Sequence, residues 1–406
     1  MARYQDLPRS WRQAISYTLV AAAASAVTFG ICWGRNVNIN YTSTIPEDMA
    51  KLSQAYKVIQ EYYIGEKDKD AIYDGAIKGM IYGAGDPWGY YMNAEEYKKY
   101  QAANSREYVG IGVTVGTEQP EKGFLIEKVA DNSGAQNAGL RPGDYITHVD
   151  GVSVVGSSTA DAKSKIQGVK GTSVELTILR DGQPLVLDVV RGTVLNPVAE
   201  GVMLQDNVGL LTIYQFEADC AKEAIVAIEN LQRKGAKALI LDVRCNPGGL
   251  KTELVSLLDY LAPGDKLLFH SVDYDGKEEK VYSKGKGLAE EIPIAVLVNE
   301  QSYSAAEFFA AALQEYGCVT TVGEHTTGKS YYQTDLTLSD GSVIHLSVGK
   351  FYTPNGVNLA EAKGIKPMVE IKLSKEQKEA LLAGELAPES DPQIQAAIET
   401  VLRKLN

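Results

Sequence analysis

From Val208 onward, short apolar runs alternate with stretches in which apolar residues recur every three or four positions. Val208-Gly209-Leu210-Leu211-Thr212-Ile213 reads as a strand, Asp219 to Lys234 as a helix, Ala238 to Arg244 as a second strand and Leu250 to Leu261 as a second helix. Ile292 to Val298 is apolar throughout and reads as a buried strand, after which Ala306, Phe309, Ala310 and Leu313 repeat at helical spacing. This rhythm predicts an α/β domain with a partly parallel sheet. Tyr331 to Phe351 then alternates about an Asp340-Gly341 hairpin turn, and Leu373 to Ala383 and Ile394 to Leu405 are helical by period.

Upstream the periods differ. From Arg106, short alternating strands at Val109 to Val115, Gly123 to Ile126, Tyr145 to Val149 and Ser173 to Leu179 are separated by Gly, Asp and Asn turns. A short helix and turn occupies Ser133 to Asp144, and a longer helix Ser158 to Ile166. Earlier still, Met49, Leu52, Tyr56 and Ile59, then Ile72 to Met80, predict two helices, the second stopped by Gly85-Asp86-Pro87-Trp88-Gly89. This helical cap offers no candidate catalytic residue. At the start, Arg3, Arg9 and Arg12 precede an uncharged run from Gln13 to Gly34, and ~20 helical residues at ~1.5 Å each match a ~30 Å hydrocarbon core. Cationic flanks stay cytoplasmic, so the reading is a single-pass cell-membrane anchor with the remainder extracytoplasmic, either extracellular or periplasmic. Ala22-Ala23-Ala24 and Ala24-Ser25-Ala26 are the cleavage-site alternatives, but the apolar pattern continues to Trp33 and favours a retained anchor.

Composition narrows the functions. The 406 residues, 45% hydrophobic, bury a sizeable core in two or three domains. A formal net charge of -12 without a Lys/Arg block argues against a nucleic-acid partner. Cys32, Cys220, Cys245 and Cys318 lack CxxC or metal-ligand spacing and read as free buried thiols. His148, His270, His325 and His345 are scattered, which argues against a metal site, and no cofactor motif is present.

Nucleophilic chemistry fits best at Ser304, placed where the strand Ile292 to Val298 turns into a helix. There the serine is expected to be exposed and to face free N–H groups and the positive end of the helix dipole. Its base is less obvious. His325, near Asp335, lies in a polar loop and reads as a surface histidine. Lys329 is the alternative, although a free lysine with pKa ~10.4 is less than ~0.1% neutral at pH 7. Bringing it to ~7–8 costs the ammonium form ~4 kcal/mol, which desolvation in a closed site can supply. Gln333, four residues on, shares a strand face with Lys329 if the segment is regularly extended, and its neutral amide can orient the amine without restoring its charge. Asn246-Pro247-Gly248-Gly249 ends another strand in a tight loop whose unshielded N–H groups could face a substrate oxygen.

Two resemblances complete the reading. The strand order from about 106 to 192, with "AGLRPGD" and "HVDGVSV", resembles a PDZ domain. In that family the loop here spelled Val109-Gly110-Ile111-Gly112 binds a peptide's terminal carboxylate, and the peptide adds as a strand. The set "NEQSYSAAEFFAAAL", "VGEHTTGKSYYQ", "LDVRCNPGG" and "YTPNG" around this insertion resembles the carboxyl-terminal processing (tail-specific) protease family over about residues 47 to 402. That resemblance implies a multidomain α/β and α+β protein with a crotonase-like α/β protease core, an inserted PDZ domain, a helical N-terminal cap and an N-terminal transmembrane helix. It implies nucleophile Ser304, general base Lys329, supporting Gln333, and an oxyanion hole from the Ala305 N–H with that of Gly248 or Gly249. Arg141 is a candidate contact between PDZ domain and core, and the terminal helices are candidates for a homodimer interface. The implied boundaries are 1–35 for the anchor or signal segment, 36–105 for the linker and helical region, 106–192 for the PDZ domain, 193–372 for the core and 373–406 for the C-terminal helices. Tyr303, Ser330 and Met368 depart from the family's usual residues. The implied activity is a serine endopeptidase acting on proteins with exposed apolar C-termini; the rival is a non-catalytic PDZ scaffold.

Overall fold

A computed structural model describes residues 49–104, 106–116, 120–285 and 287–405. The expected transmembrane run, the linker after it and Cys32 lie outside them. Among the described residues no helix is long and apolar enough to cross a membrane. Two compact units result, one spanning Gln101–Pro197 and the other built from the chain on either side.

The larger unit is organised on a six-stranded sheet in the order Ala199–Met203, Val208–Ile213, Ala238–Asp242, Ile294–Val298, Val319–Gly323 and Val369–Glu370. Only the first pair is antiparallel. Alternation along the strands divides their side chains between two cores. Leu211, Ile213, Leu239, Leu241, Val296 and Val298 face the helices Cys220–Arg233, Lys251–Leu261 and Ala305–Glu315. Their neighbours Val208, Leu210, Ile240, Ala295 and Leu297 pack on Ile394, Ala397, Ile398 and Val401 of the final helix, Pro392–Leu405. A sheet covered on both faces needs apolar residues at every position, which is why these strands read as continuous runs.

A buried ionic cluster fastens that final helix to the sheet. Arg244, just past the strand Ala238–Asp242, forks onto Asp242 and reaches Asp391 at 2.7 Å and Gln393 at 2.9 Å. A second, antiparallel sheet centres on Val343–Tyr352, which pairs with Tyr331–Thr337, with Leu267–Asp273 and with Tyr90–Met92. Through Tyr90–Met92 the N-terminal helix Lys69–Ala84 is joined to this sheet, whereas Ala50–Tyr62 buries none of its residues. Cys220 is buried, Cys245 and Cys318 are only half-buried, and among the described residues none of the three forms a disulfide.

In the smaller unit, strands Val113–Gly116, Phe124–Val129, Tyr145–Val149, Ser173–Arg180 and Gln183–Val190 form one sheet around Phe124, Ile126, Ile146, Leu176 and Ile178. The single strand expected over Val109 to Val115 is in fact two. Gly112 adopts φ +83°, and the break sends Glu107–Gly110 to pair with Gly192–Leu195 while Val113–Gly116 takes the edge of the main sheet. Arg141 is exposed, and its N–H donates to Asp144 Oδ2.

Removing Arg244 would leave two carboxylates buried and unpaired. Arg244→Met is expected to lower the unfolding free energy by about 3–5 kcal/mol in urea titration; a change under about 1 kcal/mol would show that the cluster is not structural.

Candidate active site

Ser304 stands immediately before the helix Ala305–Glu315, with φ 57° and ψ −121°. A serine at positive φ is strained by roughly 1–3 kcal/mol, and such strain persists only where the surroundings fix it. The surroundings here are polar and dense. Asn299 Oδ1 accepts from the Cys245 and Gln301 N–H groups, Ser302 Oγ donates to the Val243 carbonyl at 2.7 Å, and the Tyr303 N–H donates to the Asn246 carbonyl. Contrary to the exposed corner expected from the sequence, Ser304 is fully buried.

Asn246 shapes the neighbouring glycine loop. Its Nδ2 donates to the Ile213 carbonyl and its Oδ1 accepts from the Gly248 N–H at 2.8 Å. The Gly248 N–H, one of the two expected oxyanion donors, is therefore occupied. Gly249 differs. The Gly248 carbonyl accepts from the Phe216 N–H, and in a trans peptide the following N–H points the opposite way, away from Phe216. At φ 141° a Cβ on Gly249 would stand 2.3 Å from the Phe216 carbonyl oxygen, so only glycine fits. Ala305 is the first residue of its helix, where an N–H has no intrahelical acceptor.

Lys329 is fully buried. Its Nζ lies 4.4 Å from the Trp88 ring centre and 5.8 Å from that of Tyr303, and these two rings stack 6.4 Å apart. Burial pushes its ammonium down to about 7, against an opposing pull from Asp86. Beneath it, Glu307 accepts from the Gly328 N–H at 2.8 Å, the Lys329 N–H at 2.9 Å and the Thr326 hydroxyl. Burial pushes the Glu307 carboxyl up to about 7, with those hydrogen bonds holding it back. Sequence reasoning missed both Glu307 and Trp88. Glu307 had one available signal, an acid three positions into a helix that is otherwise almost wholly apolar.

Gln333 is fully buried, but the even alternation expected to set it on one strand face with Lys329 does not hold. The regular strand starts only at Tyr331, and a bulge between Tyr332 and Gln333 breaks the even alternation from Lys329. The Gln333 Nε2 donates to the Tyr331 carbonyl and to Ser347 Oγ. Ser304 Oγ, Lys329 Nζ and Gln333 Oε1 have no hydrogen-bond partner among the described residues. His325 is exposed, as its polar loop predicts, and Asp335 is paired with buried His345 at 2.6 Å. No group of three or more metal-ligating side chains occurs among the described residues.

The smaller unit holds a groove of about 350 Å³ lined by Ile111, Val113, Phe124, Ala162, Lys163 and Ile166, along with Tyr108, Gly110 and Gly112. Val109 is paired with Thr193 and alternates away from it. The Ile111 and Gly112 carbonyls accept from the Ala135 and Ala130 N–H groups, so the Gly112 and Val113 N–H groups point in the opposite direction.

Residues 207–371 match the family model described as peptidase family S41, residues 125–180 match a PDZ domain, and residues 33–96 match the N-terminal domain of activating protease CtpB. The chain is 36% identical over 357 residues to carboxy-terminal processing protease CtpA of Bacillus subtilis, covering 87% of this chain and 76% of that one. It is 32% identical over 329 residues to carboxy-terminal processing protease CtpB of the same organism, covering 80% and 68%. A solved structure of a putative S41 protease from Bacteroides fragilis shares the fold at TM-score 0.50 and 18% identity, covering 90% of this chain and all of that one. Identity at the level of the Bacillus proteins, over most of both partners' length, makes this chain a member of peptidase family S41, among the CtpA/CtpB-like carboxy-terminal processing serine proteases that carry a PDZ domain.

Proposed function

We propose that this protease takes the C-terminal tail of a substrate protein on its PDZ domain and cleaves peptide bonds with Ser304 as nucleophile and Lys329 as base, supported by Gln333. One observation carries the reading: a fully buried lysine without a hydrogen-bonded counter-ion among the described residues, pushed down to about 7, next to the strained Tyr303-Ser304 turn. A neutral amine takes the Ser304 Oγ proton as Oγ attacks the scissile carbonyl carbon. The resulting oxyanion is met by the N–H groups of Ala305 and Gly249. The Lys329 ammonium then gives the proton to the leaving amine, and the neutral lysine so regenerated takes a proton from the water that attacks the acyl carbon and passes it to Ser304 Oγ as the acyl bond breaks.

Because Lys329 Nζ and Ser304 Oγ are not hydrogen-bonded to each other, proton transfer requires the amine to swing from the Trp88 face toward the serine. A resting and an engaged state follow, with tail binding favouring the second. The groove supports tail capture: Val113–Gly116 is an open sheet edge, the Gly112 and Val113 N–H groups suit a carboxylate, and the Ile111, Phe124 and Ile166 side chains suit an apolar final residue. The run Gln13 to Gly34 would hold the protease at the membrane with its site extracytoplasmic.

Ser304→Ala and Lys329→Ala are each expected to lower kcat on an unstructured protein with an apolar C-terminus by roughly 10³-fold or more, and the double variant little further. Wild-type kcat/KM should rise with pH through about 7. Full activity in Lys329→Ala would rule the lysine out as base, and an inactive wild type that still binds tails would favour the scaffold.

Amidating the tail's C-terminus should weaken its binding about tenfold or more in fluorescence titration, since a charge-assisted hydrogen bond is lost. Equal affinity would move recognition away from the carboxylate.

The same burial has a cost in stability. With its folded pKa at about 7, below ~10.4 unfolded, Lys329 binds its proton more weakly in the folded chain, so it opposes folding fully below pH 7 and progressively less as pH rises toward 10. Lys329→Met should therefore be more stable than wild type by about 4 kcal/mol at pH 7 in urea titration, with the gain shrinking at alkaline pH. Equal stability at pH 7 would contradict the buried neutral amine.

A further inference from the structure

The Asp86-Pro87-Trp88 turn, which in sequence merely stops a helix, reaches the strand pair that carries Gln333. Ser347 is the cross-strand partner of Gln333. Its hydroxyl donates to Asp86 Oδ1 at 3.0 Å and its N–H donates to Asp86 Oδ2 at 2.8 Å. A serine hydroxyl has a single proton, so with that proton committed to the carboxylate its oxygen can only accept on the side facing Gln333. The Tyr331 carbonyl beside it is also purely an acceptor. Both need donors, and Gln333 Nε2 supplies them at 3.1 Å and 3.0 Å. Reversing the amide would set its carbonyl oxygen against two acceptors and leave its NH₂ group unpaired. Gln333 Oε1 is thereby turned away from Ser347, to a buried position without a hydrogen-bond partner among the described residues.

We propose that Asp86 and Ser347 are positioning residues for this peptidase: their hydrogen bonds fix the Gln333 amide so that Oε1 faces the lysine and accepts an N–H from it during proton transfer. The inference rests on the Ser304, Lys329 and Gln333 reading above. Asp86 also acts on the site in two other ways. It accepts the Trp88 N–H at 3.0 Å, shaping the turn that puts the indole over Lys329, and its charge favours the lysine's ammonium form. Ser347→Ala removes the hydroxyl that links Asp86 to the amide but leaves the Asp86 carboxylate and the Ser347 N–H that holds it in place, so it separates the orienting effect from the field of the carboxylate.

The test is steady-state cleavage, by the full chain, of a fluorescein-labelled unstructured protein ending in apolar residues, followed across the neutral pH range. Ser347→Ala is expected to lower kcat about tenfold with KM unchanged, the size of one net hydrogen bond. Ser347→Thr, which keeps the hydroxyl, should restore kcat to within about twofold of wild type. In a Gln333→Ala background, Ser347→Ala should cost nothing more, because the group it orients is gone. Asp86→Asn should lower kcat and move the acid limb of the pH profile to lower pH, since it removes the charge that favours the ammonium; Ser347→Ala should leave that limb in place. Wild-type kcat in Ser347→Ala, a Thr variant as slow as the Ala variant, or losses that multiply with an impaired Gln333→Ala would each overturn the inference while leaving the Ser304 and Lys329 chemistry intact. Wild-type kcat in Gln333→Ala would instead overturn the glutamine's role and this inference with it.

Discussion

The site depends on one buried carboxylate. Glu307 belongs to the helix that begins after Ser304, yet it accepts from the Thr326 hydroxyl and the Gly328 and Lys329 N–H groups of another segment. Rotation of the nucleophile helix or slippage of the lysine loop would break several hydrogen bonds to one desolvated group at once. A carboxylate is suited to this because it accepts from several directions, and because an unpaired one in the core is too costly to tolerate. Burial at the same time pushes its carboxyl up to about 7, so near neutrality it carries its charge only part of the time, unlike an ordinary carboxylate.

That electrostatic restraint is what the proposed role of Lys329 as base requires. A formal counter-ion in hydrogen-bonding contact would hold the ammonium on and defeat proton abstraction. The aromatic faces of Trp88 and Tyr303 give a positive charge enough support to exist transiently, since a cation over a ring is stabilised by about 1–2 kcal/mol, far less than a buried ion pair. Glu307 therefore fixes the backbone of Lys329 while Trp88 and Tyr303 form the surroundings of its tip. Positional rigidity and charge balance are supplied by different residues.

The legibility of the sequence followed the same division. Apolar runs such as Leu239 to Leu241 and Ile294 to Val298 reported their strands because a doubly covered sheet forces apolarity at every position. Ser304 was visible as a strand-to-helix corner, and the Gly248-Gly249 pair as a loop with unshielded N–H groups. Much else depended on contacts between distant segments, for which periodicity carries no signal. Asp86 and Trp88 looked like punctuation because their partners Ser347 and Lys329 lie more than 200 positions away. Gln333 shows a subtler failure. Even spacing placed it with Lys329, but the bulge after Tyr332 removes the basis for counting alternation, and its amide is oriented by cross-strand Ser347.

Topology explains why segments so far apart meet. Arg244 to Gly249, Asn299 to Ser304 and Glu324 to Lys329 each follow the carboxyl end of one of three adjacent parallel strands, Ala238–Asp242, Ile294–Val298 and Val319–Gly323. The register pairs Asp242 with Leu297 and Val298 with Gly323, so the three loops leave the sheet almost level with one another. In an open parallel sheet this edge is where loops converge, because each crossover helix returns the chain to the opposite end. One loop presents the Gly249 N–H, the next the serine and the third the lysine. Side-chain identity chooses the chemistry, and strand register sets the distances over which it can act. A substitution that slips the strand Val319–Gly323 against Ile294–Val298 would therefore pull the serine and lysine loops out of level and dismantle the candidate site without altering any residue in it.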